Sequence, residues 1–112
     1  MLNINDKPYA RNLLRGMLEL HEEEMQRRKD LDVPEGQEEV SYAEPTVGVR
    51  EAIEQSDMKY EEGNEGEWVE AQTYLRDKGL ITLQGNSDQD GLFSSMQFAN
   101  SKAVDLAKQA LA

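Results

Sequence analysis

The amino-acid sequence predicts an α+β fold in which helices come first and a short antiparallel hairpin follows. Apolar residues recur at helical spacing through the first two thirds of the chain, up to Gly79. From Leu80 the spacing becomes strand-like on both sides of a glycine-flanked turn, and a helical pattern returns after Asn100. The length of 112 residues suits one core, so we expect residues 1–112 to form a single domain.

The first helix is predicted over residues 8–29, with Pro8 in its first turn. An apolar stripe at helical spacing consists of Ala10, Leu14, Met17, Leu18, His21 and Met25. The stripe covers roughly 24 Å at the standard helical rise, which favours a homodimer in which all of these residues except Ala10 are candidate contacts. The alternative is that the stripe packs in the chain's own core. Gly16 weakens this helix unless close packing requires it.

The middle of the chain is predicted to be an acidic loop followed by two helices. Residues 30–45 form the loop, within which residues 40–42 have the composition of a short strand. The second helix is predicted at residues 46–58, with Thr46 as its cap. The third begins with a capping box of Asn64 and Glu67 and ends at about Lys78, where Gly79 suits the left-handed conformation.

The end of the chain reads as a hairpin and a last helix. Residues 80–83 and 92–98 are the predicted strands, and residues 85–91 have turn chemistry. Residues 86–91 resemble the opening of a calcium-binding EF-hand loop, but Gln97 stands where the bidentate carboxylate is needed, so a polar turn is expected. Asn100 or Ser101 caps the last helix.

The segment Tyr74-Leu75-Arg76-Asp77-Lys78-Gly79-Leu80-Ile81, with the glycine-flanked turn and residues 98–107 after it, resembles the winged helix-turn-helix superfamily. The resemblance covers about residues 46–112. It implies a three-helix core, a C-terminal two-stranded wing and a short last helix, and it implies DNA binding through the third helix and the wing. The sequence departs from the family pattern at Lys102-Ala103, where a glycine is common.

The charge of the chain argues against the implied DNA binding. The formal net charge is −11, and residues 17–70 hold 18 acidic against five basic side chains. With Trp68, Ala71, Gln72 and Leu75 buried, the third helix turns carboxylates outward. The candidate partner-binding surface of this helix and the wing comprises Glu67, Glu70, Thr73, Tyr74, Asp77, Asp88 and Asp90. Phosphates are normally bound by lysine and arginine, so this surface is poorly suited to DNA.

Three functions remain open. The first is a non-enzymatic regulatory or protein-interaction module whose acidic surface binds a basic partner. The second is a DNA-binding transcriptional regulator, for which the candidate nucleic-acid contacts are Lys7, Arg11, Arg15, Arg76 and Lys78. The third is an acidic nucleic-acid mimic that acts as an inhibitor.

Several other classes of function have little support in the sequence. The chain has no cysteine and one histidine, His21, so thiolate metal sites and the usual nucleophile–base pairs are not indicated. We therefore predict no enzyme activity, no metal and no cofactor. We also expect no signal peptide or membrane span, and a cytoplasmic location.

Overall fold

The computed structural model describes residues 4–30, 45–56 and 58–112. Within them the chain forms four helices and a three-stranded antiparallel sheet, which confirms the α+β class. The elements in chain order are α1 (Pro8–Asp30), β1 (Thr46–Gly48), α2 (Val49–Gln55), α3 (Glu65–Asp77), β2 (Ile81–Ser87), β3 (Phe93–Phe98) and α4 (Ser101–Leu111). Most of the predicted acidic loop, including residues 40–42, lies outside the described residues. No described helix is long and apolar enough to span a bilayer.

Helix α1 forms where the apolar spacing predicts it and is the central element of the helical layer. Leu13, Leu14 and Met17 are fully buried, and the helix packs against both α2 and α3. Gly16 faces the backbone of α2, because a Cβ atom built at this position overlaps the carbonyl group of Ala52. The glycine is therefore a packing requirement that outweighs its low helix propensity.

The second helix begins later than predicted, and Thr46 is not its cap. Thr46–Gly48 is strand β1, which pairs with β3 in the register Thr46↔Gln97 and Val47↔Met96. Thr46 and Val47 are β-branched and lie beside the free edge of β3, so pairing forms backbone hydrogen bonds and buries Val47. These gains outweigh a helical start at Thr46. Helix α2 ends at Gln55 because the Ser56 hydroxyl donates to the Ile53 carbonyl at 2.7 Å.

Helix α3 buries the predicted line of Trp68, Ala71, Gln72 and Leu75, but its predicted capping box is wrong. Asn64 does not cap the helix through its side chain. Its amide oxygen instead accepts a hydrogen bond from the Glu61 N–H at 2.8 Å, which closes the preceding turn. The end of α3 is as predicted, since Gly79 has a φ of 76° and the Leu80 N–H donates to the Leu75 carbonyl.

The sheet has the strand order β1-β3-β2, and the hairpin of β2 and β3 is longer than predicted. Regular pairing from Ile81 to Gln84 is followed by a register shift, and Ser87 still pairs with Phe93. The left-handed Gly85 lies in this irregular stretch, which lets pairing resume where the sequence pattern indicates only a turn. Asn100 caps α4 by accepting a hydrogen bond from the Ala103 N–H at 2.9 Å.

The close approach at Gly16 predicts a large effect of a small substitution. We expect Gly16→Ala to lower the free energy of unfolding by about 1–3 kcal/mol, because the methyl group forces α1 and α2 apart. Gly66→Ala, near the start of α3, is the matched control, since a Cβ atom there meets nothing within 4 Å. We expect that control to be neutral or stabilising. Denaturant titrations measure both variants, and equal effects would contradict the close packing.

Candidate functional site

The outward face of α3 carries carboxylates, as the burial of its opposite face requires. Glu67, Glu70 and Asp77 are exposed, whereas Thr73 and Tyr74 are half-buried. The Thr73 hydroxyl donates to the Val69 carbonyl at 3.0 Å, so it is turned back onto its own helix. The charged surface of α3 therefore consists mainly of its carboxylates.

Two of these carboxylates line a groove of about 240 Å³ between the start of α1 and α3. We call it the acidic groove, and its lining residues are Asp6, Lys7, Pro8, Tyr9, Ala10, Glu67, Glu70, Ala71 and Tyr74. Three carboxylates face one ammonium group in this set, which makes the groove electronegative. The sequence pattern located Glu67 and Glu70, but it did not show that Asp6 and Tyr9 lie beside them.

Aromatic rings form part of the wall of the acidic groove. Tyr9 packs edge-on against Trp68, with ring centroids 4.9 Å apart, and Trp68 is the fully buried anchor of α3. The Nζ atoms of Lys7 and Lys78 lie 5.8 and 5.6 Å from the ring centroid of Tyr74. The ring of Tyr74 therefore already makes cation–π contacts with two ammonium groups of this chain.

The negative charge of the turn between β2 and β3 is partly compensated by an arginine that the sequence pattern does not place there. The guanidinium group of Arg50 donates to Asp88 at 2.6 Å and to Asp90 at 3.3 Å, and it stacks over Tyr60 at 4.7 Å. The Tyr60 hydroxyl donates to Asp90 at 2.9 Å. Arg50 lies 38 residues before Asp88, and no local pattern links them. Asp88 and Asp90 hold the hairpin to α2, and they remain exposed with one guanidinium group between two carboxylates.

Hydrogen bonds to Asp88 alter its titration. The guanidinium group of Arg50 lowers the pKa of Asp88 below the ordinary carboxyl value, and the backbone N–H groups of Leu92 and Asp90 act in the same direction. The Asp88 carboxylate thus orders its own turn and binds the arginine at the same time. A guanidinium group occupies the oxygens that the EF-hand-like spacing would have offered to calcium.

The predicted nucleic-acid contacts do not form one patch over α3. Lys7 and Lys78 lie beside Tyr74, and Arg76 lies 3.5 Å from the Asp77 carboxylate. Arg11 and Arg15 line a separate groove against Leu111 of α4. These lysine and arginine side chains therefore do not cover the carboxylates of the acidic groove, which face solvent.

The predicted dimer contacts divide into two groups. Leu14 and Met17 have no exposed surface because they pack in this chain's own core, and His21 is 5% exposed with its ring edge-on to Phe98. These three side chains are unavailable to a second copy. Leu18 and Met25 are half-buried, and Leu18 packs against the edge of the core.

The chemistry that the described residues offer is recognition by charge and aromatic surface. No group of three histidine, aspartate or glutamate side chains in the described ranges is placed to hold a metal ion. Comparison of the chain with protein-family models, curated proteins and solved structures gives no match.

The contact between Arg50 and Asp88 predicts a titration change. In Arg50→Gln we expect the pKa of Asp88 to rise towards the ordinary value of about 3.9, as followed by carboxyl NMR. Because the pKa of Asp88 is lower in the folded state than in the unfolded state, its carboxylate stabilises the fold at pH values above the unfolded-state pKa. This stabilisation is lost as the pH falls through the folded-state pKa. The difference in the free energy of unfolding between the wild type and Arg50→Gln should therefore become smaller below about pH 4.

The matched control for this experiment is Arg76→Gln, because Arg76 is also an exposed arginine next to an aspartate. We expect the Asp88 titration to be unchanged in that variant. If Arg50→Gln also leaves the Asp88 titration unchanged, Arg50 does not bind the hairpin turn in solution.

Proposed function

We propose that this chain is a non-enzymatic interaction module of winged-helix architecture that binds a basic protein segment in the acidic groove. One observation carries the proposal: Glu67 and Glu70 are exposed on α3 and line the same groove as Asp6. In a chain with a formal net charge of −11, this groove combines carboxylates with aromatic walls.

The order of elements supports the winged-helix architecture. Helices α1, α2 and α3 precede an antiparallel hairpin, and the turn at Gly79 leads from α3 directly into β2. The short strand β1 adds to the hairpin through β3 and fixes the start of α2 beside it. In the proposed architecture α3 corresponds to the recognition helix, and its exposed Glu67 and Glu70 argue against a phosphate backbone as its ligand.

The composition of the groove favours an arginine or lysine side chain as the group it receives. Guanidinium and ammonium groups form charge-assisted hydrogen bonds with carboxylates and also stack on aromatic rings. Arginine matches carboxylates in a bidentate geometry, so we expect an arginine-rich segment to bind better than a lysine-rich one. A phosphate backbone would be repelled by the same three carboxylates.

A charge-reversal pair tests this proposal. We expect Glu67→Lys/Glu70→Lys to weaken binding of a fluorescein-labelled peptide of alternating arginine and glycine by roughly ten- to a hundredfold. The matched control is Glu61→Lys/Glu62→Lys, which makes the same change in net charge at exposed positions outside the groove. We expect the control to weaken binding only slightly. Fluorescence anisotropy at constant ionic strength measures all three proteins.

The competing functions give different results in the same assays. Equal weakening by both charge-reversal pairs would mean that only net charge matters, and the groove would be rejected as the site. A gel shift with duplex DNA that fades steeply as salt rises would support the transcriptional regulator instead. Competition with DNA for a nuclease, without binding of DNA itself, would support the nucleic-acid mimic.

A further inference from the structure

A stripe with alternating spacings of four and three residues runs along the side of α1 that faces α4. It consists of Arg11, Arg15, Leu18, Glu22 and Met25. These residues line two neighbouring grooves between α1 and α4, of about 360 and 450 Å³. Arg15 and Glu22 are exposed and the other three are partly buried, so the stripe remains accessible. Residues separated alternately by four and three positions lie along one face of a helix, and helices that pack along one another use such a face.

Opposite charges lie on the two sides of Leu18 at nearly equal distances along the stripe. Arg15 lies three residues before Leu18, and Glu22 lies four residues after it. If two copies of α1 lie antiparallel across a two-fold axis at Leu18, Arg15 of each copy lies within one residue, about 1.5 Å along the helix, of the level of Glu22 of the other. The same operation places the two Leu18 side chains together and Arg11 near Met25. The stripe is therefore complementary to itself, as a two-fold interface requires.

We propose that a second copy of this chain docks along this stripe, with the two α1 helices antiparallel and Leu18 at the two-fold axis. This interface differs from the one predicted from the apolar stripe, because Leu14, Met17 and His21 are buried in the chain's own core. Apolar contact comes instead from Leu18 and Met25, with Val104 and Leu111 of α4 bordering the grooves.

A second copy fits this surface better than an unrelated acidic or basic helix. The stripe has bases towards one end and an acid towards the other, so a partner of one sign would meet repulsion at one end. Two copies with a net charge of −11 each repel one another in most orientations, whereas this orientation opposes unlike charges twice.

The intramolecular contacts of the stripe allow such docking. The Arg15 Nε atom lies 3.7 Å from Glu19 Oε1, and the Lys108 Nζ atom lies 3.5 Å from Glu22 Oε1. Both pairs are exposed, and exposed pairs of this kind contribute little to stability. Rearranging them to pair with a second copy is therefore inexpensive, while the buried face of α1 stays in place.

A charge exchange on the full chain tests the proposed register. We expect the wild type to form a dimer by light scattering and sedimentation equilibrium. We expect Arg15→Glu and Glu22→Arg each to weaken the dimer by about tenfold or more, because each places like charges opposite one another twice. The double variant Arg15→Glu/Glu22→Arg restores opposite charges and should recover the dimer at the net charge of the wild type.

The control is Glu23→Arg, which makes the same charge change as Glu22→Arg in the neighbouring exposed residue, on the side of α1 that faces β1. We expect this variant to remain a dimer, and thermal melts followed by circular dichroism verify that each variant folds. A wild type that is monomeric at all concentrations would overturn the proposal. A dimer that the single exchanges do not weaken, or that the double exchange does not recover, would also overturn it.

This inference does not depend on the binding of a basic partner. The acidic groove lies between the start of α1 and α3, whereas the stripe begins at Arg11 and faces α4. The peptide assay and the mass measurements can therefore fail separately.

Discussion

The orientation of α3 depends on the burial of one line of side chains. Trp68 and Leu75 are completely buried, and Ala71 and Gln72 lie between them with almost no exposed surface. Turning the helix by one residue, about 100°, would expose the indole and bury a carboxylate, and both changes are costly. The same packing that stabilises the core therefore directs Glu67, Glu70 and Asp77 towards solvent. The acidity of this face follows from the fold of this sequence.

Two sets of side-chain contacts, each between residues far apart in sequence, hold the hairpin against the helices. The Gln72 side chain donates to the Gly91 carbonyl at 2.6 Å and accepts from the Phe93 N–H, which ties α3 to the start of β3. Arg50 ties α2 to the turn through Asp88 and Asp90. The second set of contacts also compensates part of the charge of the turn, because one guanidinium group faces two carboxylates. The carboxylates of the acidic groove have no such arginine partner among the described residues.

The sequence was most informative where a periodic pattern was long. Helix α1 and the buried line of α3 follow from apolar spacing, and the end of α3 follows from Gly79 and Leu80. Strand β1 was missed because three residues carry little periodicity and their partner, β3, lies about 50 residues later. The pairing of Arg50 with the hairpin turn was missed for the same reason, since a salt bridge across 38 residues leaves no local signal. Asn64 is a residue type favoured at helix N-caps, yet its side chain accepts a hydrogen bond within the preceding turn instead.

The outward face of α3, with Glu67 and Glu70 exposed, should have a negative potential in solution. Relaxation of the α3 amide protons by a cationic and by an anionic nitroxide of equal size measures that potential directly, since charge sets the local concentration of each probe. We expect stronger relaxation by the cationic probe at Glu67 and Glu70 than at Asp88 and Asp90, because Arg50 compensates part of the charge of the two aspartates. Stronger relaxation by the anionic probe along α3, or no difference between the two regions, would contradict this expectation.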